Sequence, residues 1–288
     1  MHAVERIQRV VILTHGDPAV ASRSLHDALL ILKRRGVELL VPNNEWLKHG
    51  ELLGDAGGVE LVTAGKDLDG VGLCLVLGGD GTMLNAFHLT RDLGIPVAGV
   101  NLGRVGFLTT LSPQDLEDGL ERLLDGEFAE FPLLGLEANL GTRTFRATND
   151  VVVSKGEHVH TASLALTING VTLFEVLCDG VVAGTPAGSS AYSLAAGGPL
   201  LGIAVQAYVI SLVAPHAVGV RPVVAAPGDA LDIINTSEEY DCYVDIDGER
   251  TATVTPGATL SVRTIPAMTS LALLEGDSLY HHFRDRLL

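Results

Sequence analysis

Apolar and polar residues alternate along the first half of the chain in the way of strands and helices that follow one another. Short apolar runs typical of buried strands cover residues 10–13, 37–41, 73–77 and 95–100. Ala19–Arg35 repeats apolar residues with helical period and ends before Gly36, which is suited to a left-handed C-cap. Further helices are predicted over Thr82–Asp92 and from Ser112-Pro113, where Ser is a good N-cap. This alternation predicts a mostly parallel sheet covered by helices on both faces.

After Phe131 the pattern changes to the two-residue alternation of antiparallel strands. Asn169-Gly170 and Asp247-Gly248 each join two such runs, and both dipeptides favour a type I′ hairpin turn. Further short strands are predicted near residues 151, 208, 223, 231 and 260. The second half is therefore predicted to be an all-β domain of the sandwich type, with a boundary near residue 128.

Composition supports a folded chain and excludes several classes of function. Hydrophobic residues make up 47% of the 288 residues and charged residues 19%, which excludes disorder. The net charge of −16 has the wrong sign for a nonspecific nucleic-acid binder and for binding anionic lipid headgroups. No apolar run reaches the roughly 18 residues of a transmembrane helix, and residues 1–9 do not have the pattern of a signal peptide. Three widely spaced cysteines suit a reduced core. We expect a cytoplasmic protein without nucleic-acid or membrane partners.

The segment with most chemical information joins an apolar strand to a helix through Gly78-Gly79-Asp80-Gly81-Thr82. Glycines let a ligand approach the backbone, and the first amides of a helix bind phosphate oxygens. The chain contains no Gly-x4-Gly-Lys-Ser/Thr sequence, so this is not a Walker loop. It is not a Rossmann loop either, because Leu84 stands where the last Rossmann glycine belongs. An Asp-Gly turn without a ligand is the structural alternative. The extra glycines, the preceding strand and Thr82 favour phosphate binding, with Asp80 as an unusual carboxylate in that setting.

Further blocks of small and polar residues follow in order. The glycine-rich stretch 99–109 contains Phe107, and Asn149-Asp150 precedes a predicted strand. The longest block runs from Asp179-Gly180 through Thr185-Pro-Ala-Gly-Ser-Ser-Ala-Tyr-Ser193 to Gly197-Gly-Pro199. It offers small residues for close approach, hydroxyls for hydrogen bonds and Tyr192 to pack on a purine. Each block alone could be loop architecture; their order argues for a shared function.

Taken together, these blocks and a later Pro215-His216 with Arg221-Pro222 resemble the NAD kinase family. The first block alone is also similar to diacylglycerol and sphingosine kinases and, more loosely, to 6-phosphofructokinases. The resemblance covers residues 73–222. The chain departs from the family pattern at Leu177, where many members have Arg, at Ala187 and Ser190, where threonines are usual, and at Glu249, which is often Gln.

The resemblance implies transfer of the γ-phosphoryl group of ATP to the 2′-hydroxyl of the adenosine ribose of NAD, giving NADP. It implies Asp80 as the general base, or as the group that orients this hydroxyl. Mg²⁺ or another divalent cation would enter with ATP, without an assigned protein ligand. The cofactor-binding residues that it implies are Gly79, Asp80, Gly81, Thr82, Phe107, Asn149, Asp150, His160, Leu177, Asp179, Ala187, Ser190, Ala191, Tyr192, Ser193, Leu194, Ala195 and Glu249.

The resemblance also implies an architecture and an assembly. We expect a Rossmann-like α/β domain over residues 1–128, a β-sandwich domain that binds NAD over residues 129–264, and a segment at about 265–288 that returns to the first domain. The residues after 276 suggest a helix with Leu279, Phe283 and Leu287 on one apolar stripe. A homodimer or homotetramer is expected, and polyphosphate stays open as a second phosphoryl donor.

Two other functions remain as alternatives at this point. A lipid kinase of the diacylglycerol or sphingosine type would share the Gly-Gly-Asp-Gly-Thr block and phosphorylate a lipid acceptor. A catalytically weak regulatory module would bind NAD(P) tightly without turnover, if the departures at Leu177 and Glu249 have removed activity.

Overall fold

A computed structural model describes residues 6–63, 67–103, 106–157, 159–217 and 219–276 of the chain. The chain forms two compact units. The first comprises Met1–Pro132 and Thr269–Leu288, and the second comprises Leu133–Met268. Within the described ranges, no helix has the length and hydropathy of a membrane span. The helix expected for residues 277–288, with its apolar stripe, lies outside the described residues.

The first unit alternates strands with helices, as the sequence predicts. Its elements in chain order are β1 (Arg9–Thr14), α1 (Pro18–Arg35), β2 (Glu38–Pro42), α2 (Asn43–Ala56), β3 (Val59–Val62), β4 (Leu73–Gly78), α3 (Asp80–Thr90), β5 (Val97–Asn101) and α4 (Leu116–Leu124). The strands pair in parallel in the order β5-β4-β1-β2-β3. The order reverses between β1 and β4, and such a switch point is where ligands bind in doubly wound sheets.

Local chemistry explains where the helices of this unit begin and end. Asp17 caps α1 by accepting the Ala19 amide at 3.0 Å, and Gly36 ends the helix at φ +65°. Helix α3 begins at Asp80, two residues before the predicted start. Ser112 caps a short 3-10 turn that leads into α4. The sequence did not predict α2 or β3.

The second unit consists mainly of strands. They are β6 (Phe128–Leu140), which begins in the first unit, β7 (Arg143–Ala147), β8 (Asp150–Lys155), β9 (Ala162–Ile168), β10 (Val171–Cys178), β11 (Gly180–Gly184), β12 (Tyr208–Val213), β13 (Val223–Ala225), β14 (Leu231–Asn235), β15 (Cys242–Ile246), β16 (Glu249–Val254) and β17 (Thr259–Leu274). The short helix α5 (Tyr192–Ala195) lies between β11 and β12 in the chain.

Two antiparallel sheets in this unit confirm the predicted sandwich. One has the order β13-β12-β11-β8-β15-β16, and the other contains β10-β9-β14-β17. Leu166 and Ile233 of the second sheet share a buried core with Val153, Val181 and Tyr208 of the first. Both predicted type I′ turns form, since positive φ angles occur at 169, 170, 247 and 248.

Strand β17 returns the chain to the first unit, which confirms the expected return. Its early residues pair with β14, and Leu271 then pairs in parallel with Val97 of β5. Ala272 and Leu274 are buried in the core of the first unit. The three cysteines are free and buried, as their spacing predicts.

Candidate functional site

Asp80 ties helix α3 to the loop that follows β5. Its carboxylate accepts the Phe107 amide at 3.0 and 3.1 Å and the Leu108 amide at 3.2 Å. Gly106 makes this approach possible, because a Cβ at that position would overlap Asp80 Oδ1. Phe107 is buried, so its contribution to this arrangement is the backbone amide.

A cavity of about 1100 Å³ opens at the carboxyl ends of β1, β2 and β4. Gly79, Gly81 and Thr82 line it where β4 turns into α3, so these predicted phosphate-binding residues lie on its wall. The amides in the first turn of α3 give this wall a positive partial charge. The other lining residues are Leu13, Thr14, His15, Gly16, Pro42, Asn44, Glu45, Lys48, Asn85, His88 and Leu89.

A buried polar network joins α2 to the end of β1 at this cavity. The hydroxyl of Thr14 donates to Glu45 Oε2 at 2.5 Å and lies 2.9 Å from Nε2 of His49. Lys48 Nζ lies 2.7 Å from Glu45 Oε1 and donates to the Thr14 carbonyl at 3.1 Å. Burial lowers the pKa of His49. The network therefore fixes the ammonium group of Lys48 at the cavity wall.

The second unit has its own cavity, of about 410 Å³. Its lining residues are Asn149, Asp150, Val152, Ala191, Tyr192, Asp245, Asp247 and Gly248. The side-chain oxygen of Asn149 is buried and has no hydrogen-bond partner among the described residues. Because an unpaired buried acceptor is costly, a donor on a ligand is a natural partner for this atom.

Asp150 is a buried acid in this cavity, with 4% of its surface exposed. Burial, followed by the negative charge of Asp247, raises the pKa of Asp150 to about 7. The charge of Asp245 acts in the same direction, and a hydrogen bond from the Tyr192 amide opposes both. The carboxyl group therefore changes its protonation near neutral pH.

The hydroxyls of the long small-residue block bond within the protein. Thr185 Oγ1 donates to the Thr148 carbonyl at 2.6 Å, and Ser193 Oγ lies 2.9 Å from Ser211 Oγ. The Ser190 hydroxyl donates to the Ala187 carbonyl at 3.2 Å. Ala191 and Tyr192 line the cavity, whereas Ala187 and Ser193 are buried and Leu194 and Ala195 are exposed elsewhere. Most of the small and hydroxyl-bearing residues of this block therefore serve packing and hydrogen bonds within the protein.

A second group of predicted residues lies at the other end of β8. Lys155 Nζ is 2.8 Å from Asp179 Oδ1 and donates to the His160 carbonyl at 3.2 Å. Leu177 is 48% exposed on β10. With about 3.3 Å of rise per residue, the length of β8 separates this group from Asp150 by roughly 16 Å. Glu249 is exposed at the start of β16.

Comparisons with known proteins match both halves of the chain to one family. Residues 58–128 match the family model of the ATP-NAD kinase N-terminal domain, and residues 148–273 match that of the ATP-NAD kinase C-terminal domain. The NAD kinase of Gemmatimonas aurantiaca is 35% identical over 74% of this chain and 76% of its own length. That of Carboxydothermus hydrogenoformans is 31% identical over 88% of this chain and 91% of its own.

Solved structures share the fold. Yeast NADH kinase complexed with NADH superposes with a TM-score of 0.86 at 20% identity, covering 98% of this chain and 86% of that one. An NAD kinase from Archaeoglobus fulgidus in complex with ATP superposes with a TM-score of 0.70 at 23% identity, covering 96% of this chain and 99% of that one.

The matched family models and relatives define a nucleotide-dependent kinase. The chain belongs to the ATP-NAD kinase family. Its activity is that of an NAD kinase, which phosphorylates NAD with ATP to produce NADP.

Proposed function

We propose that the first unit binds ATP in the 1100 Å³ cavity and that the second unit binds the adenosine part of NAD in the 410 Å³ cavity. The γ-phosphoryl group then moves to the 2′-hydroxyl of the adenosine ribose. The observation that carries this proposal is the position of the first cavity, at the switch point of a doubly wound sheet and on the amides of α3. The proposed domains are residues 1–128 with about 265–288, and residues 129–264, so each boundary lies four residues before that of the corresponding compact unit.

Asp80 is the proposed general base. It stands next to the residues that line the ATP cavity, and its carboxylate is held in one orientation by the amides of Phe107 and Leu108. A base that takes a proton from an attacking hydroxyl has to be fixed within hydrogen-bond reach of it. The same carboxylate also orients that hydroxyl toward the phosphorus.

Mg²⁺, or another divalent cation, is proposed to enter bound to ATP. The wall of the ATP cavity offers oxygen donors from Glu45 and Asn85, which suit an ion that keeps phosphate and water as its main ligands. Glu45 is already bonded to Thr14 and Lys48, so Asn85 is the more available of the two. When bound, the ion neutralises charge on the phosphates as the phosphoryl group moves.

Recognition of NAD is assigned to the residues around the second cavity. The unpartnered oxygen of Asn149 fits an amino group, such as that of adenine. Tyr192 is 43% exposed at the cavity and offers a ring face for stacking. Asp150 supplies a carboxylate for a hydroxyl or amino group of the ligand.

A homodimer or homotetramer is proposed because the predicted binding residues form two separated groups. Asp150 and Asp179 lie at opposite ends of β8, roughly 16 Å apart. One adenosine contacts only one of these groups, and a second copy of the chain would bring its Asp179 to complete the site. Mixing inactive Asp150→Ala and Asp179→Ala variants tests this idea, since mixed oligomers should recover activity.

A cytoplasmic location is proposed on the grounds of cysteine chemistry. Three free, buried thiols suit a reducing compartment. The phosphoryl donor is ATP, and polyphosphate is a second candidate because its repeating phosphates present the same chemistry to the amides of α3.

The deciding experiment is an assay of the purified protein with NAD, ATP and Mg²⁺, in which an NADP-specific dehydrogenase reports the product. Formation of 2′-phosphorylated NAD supports the proposed reaction. Preferred turnover of diacylglycerol or sphingosine would indicate the lipid-kinase alternative, and tight NAD binding without product would indicate a regulatory module.

A further inference from the structure

Asp247 makes an unusual set of contacts in the second cavity. Its Oδ2 accepts the Thr148 amide at 2.8 Å, and its Oδ1 accepts the amides of Asn149 at 2.7 Å and Asp150 at 3.0 Å. One carboxylate thus holds three consecutive backbone amides. Bonds of this kind to an ionised acceptor are stronger than neutral ones.

Local geometry places Asp247 at this position. Residues Asp247 and Gly248 form the turn between β15 and β16, where Asp247 has φ +50°. Strand β15 pairs with β8, with Ile246 opposite Val151, so the turn lies beside the start of β8. The Asp247 amide also donates to the Asp150 carbonyl at 3.0 Å. The two segments are therefore bonded in both directions.

We propose that Asp247 is a positioning residue for NAD, which fixes the turn 148–150 so that Asn149 and Asp150 present their side chains to the dinucleotide. This inference rests on the proposed assignment of the second cavity to NAD. Asp247 acts through its neighbours, and its closeness to Asp150 gives it a second effect, which is electrostatic.

Asp150 is faced by charged and polar groups from several elements. Asp245 on β15 and Asp247 directly after it carry negative charge. Arg250 of β16 forms an ion pair with Asp245 at 3.1 Å, and the backbone amide of Tyr192 donates a hydrogen bond to Asp150. Removing the charge of Asp247 would lower the pKa of Asp150 from about 7. Replacing a residue that only stabilises the fold elsewhere in the unit would leave the pKa of Asp150 unchanged.

The variant Asp247→Asn separates these effects. Asn tolerates positive φ and has nearly the same shape, but its amide nitrogen cannot accept the bond that Oδ2 accepts from Thr148. At about pH 8.5 Asp150 is ionised in both proteins, so a change in affinity reports position alone. We expect the Kd for NAD, measured by calorimetry, to rise about 10-fold, with the affinity for ATP unchanged. The midpoint of the pH dependence of NAD binding should move to lower pH.

Asp229→Asn is the matched control. Asp229 Oδ2 accepts the Ala226 amide at 3.0 Å in another turn of the same unit, and this residue does not line the cavity. We expect it to leave NAD affinity and the pH midpoint unchanged. The proposal is overturned if Asp247→Asn binds NAD within twofold of the wild type at about pH 8.5, if the midpoint stays in place, or if the control weakens NAD equally. A wild-type protein that binds no NAD would instead refute the proposed function.

Discussion

At the scale of single residues, Asp80 combines a structural contact with a proposed chemical role. Its carboxylate holds the amides of Phe107 and Leu108, and Asn in its place offers one acceptor oxygen instead of two. We expect Asp80→Asn to lower kcat by about 10²–10⁴-fold through loss of the base. The lost bonds should also reduce the free energy of unfolding by roughly 1–2 kcal/mol. Steady-state kinetics and urea unfolding of the same variant measure the two effects.

Asp115→Asn serves as the control for this experiment. Asp115 also lies at the start of a helix and bonds Ser112, without contact to the proposed machinery. Its turnover should match that of the wild type. A rate for Asp80→Asn within a few-fold of the wild type would remove Asp80 from the chemical step and leave it the role of holding the loop.

Asp150 makes the stability of the protein depend on pH. Its pKa is raised from 3.8 to about 7 by burial and by Asp247, so the folded protein keeps a proton that the unfolded chain has lost between these values. Stability from this group is therefore present at low pH and falls as the pH rises from about 4 to about 7. Because Asn does not titrate, the variant Asp150→Asn does not show this loss of stability as the pH rises.

The measurement is urea unfolding of both proteins at about pH 5 and about pH 8. The difference in unfolding free energy, variant minus wild type, should rise by roughly 2–4 kcal/mol between these conditions. Carboxylates away from this cavity contribute equally to both proteins and cancel. A difference that stays constant would show that Asp150 titrates normally.

At the scale of elements, the attachment of α2 to β1 depends on buried charge. Lys48→Met leaves the carboxylate of Glu45, which is 2% exposed, without its cation. We expect a loss of about 2–3 kcal/mol in unfolding free energy. The double variant Glu45→Gln with Lys48→Met should recover most of it. Lys33→Met on the exposed side of α1 is the control and should change stability little.

The same variants test whether Lys48 contacts the donor phosphates. If it does, KM for ATP rises in both the single and the double variant, because both lack the cation, while KM for NAD is unchanged. Recovery of KM together with stability in the double variant would limit Lys48 to supporting the fold.

Helix α2 also shows why part of the fold could not be predicted. Its buried face consists of Glu45, His49 and Leu53, which recur every four residues. Two of the three are polar, and the apolar residues Trp46, Leu52 and Ala56 are only partly buried against the core, so the apolar period that indicates a helix is weak in the sequence. Their partner is Thr14, more than thirty positions earlier in the chain. Elements with ordinary patterns, such as α1 and β4, were predicted within one or two residues.

In the candidate site, too, features set by consecutive residues are visible in the sequence, whereas contacts between distant residues are not. The sequence proposes Gly79, Thr82 and Asn149 as site residues because turns, helix starts and short motifs are formed by consecutive residues, and all three line the cavities. Asp247 was predicted only as part of a hairpin turn. Its bonds to the amides of residues 148–150 join segments almost a hundred residues apart, and sequence spacing does not report them.

At the scale of the whole molecule, the first unit depends on residues near the end of the chain. A protein that ends at Met268 lacks Leu271, which pairs with β5, and the core residues Ala272 and Leu274. We expect it to lose amide protection throughout the first unit in hydrogen exchange, while the second unit keeps its protection.

A protein that ends at Gly276 is the companion variant. It keeps all of β17 and removes residues 277–288, whose apolar stripe the sequence predicts to need a partner. We expect a lower melting temperature with protection of both units retained. Full protection of the first unit in the chain that ends at Met268 would show that β17 is dispensable there.

The path of β17 sets the order in which the protein can form during its synthesis. The ribosome delivers β1 to β5 first, but their sheet lacks its last strand until residues 269–274 have emerged. The second unit is contiguous over Leu133–Met268 and is complete before that point. Translation at about 5–20 residues per second then leaves the nascent first unit incomplete for about 7–28 seconds. The unit that is synthesised first is therefore completed last. Until then the edge of β5 that pairs with β17 is exposed, and a chaperone that binds nascent chains could bind it.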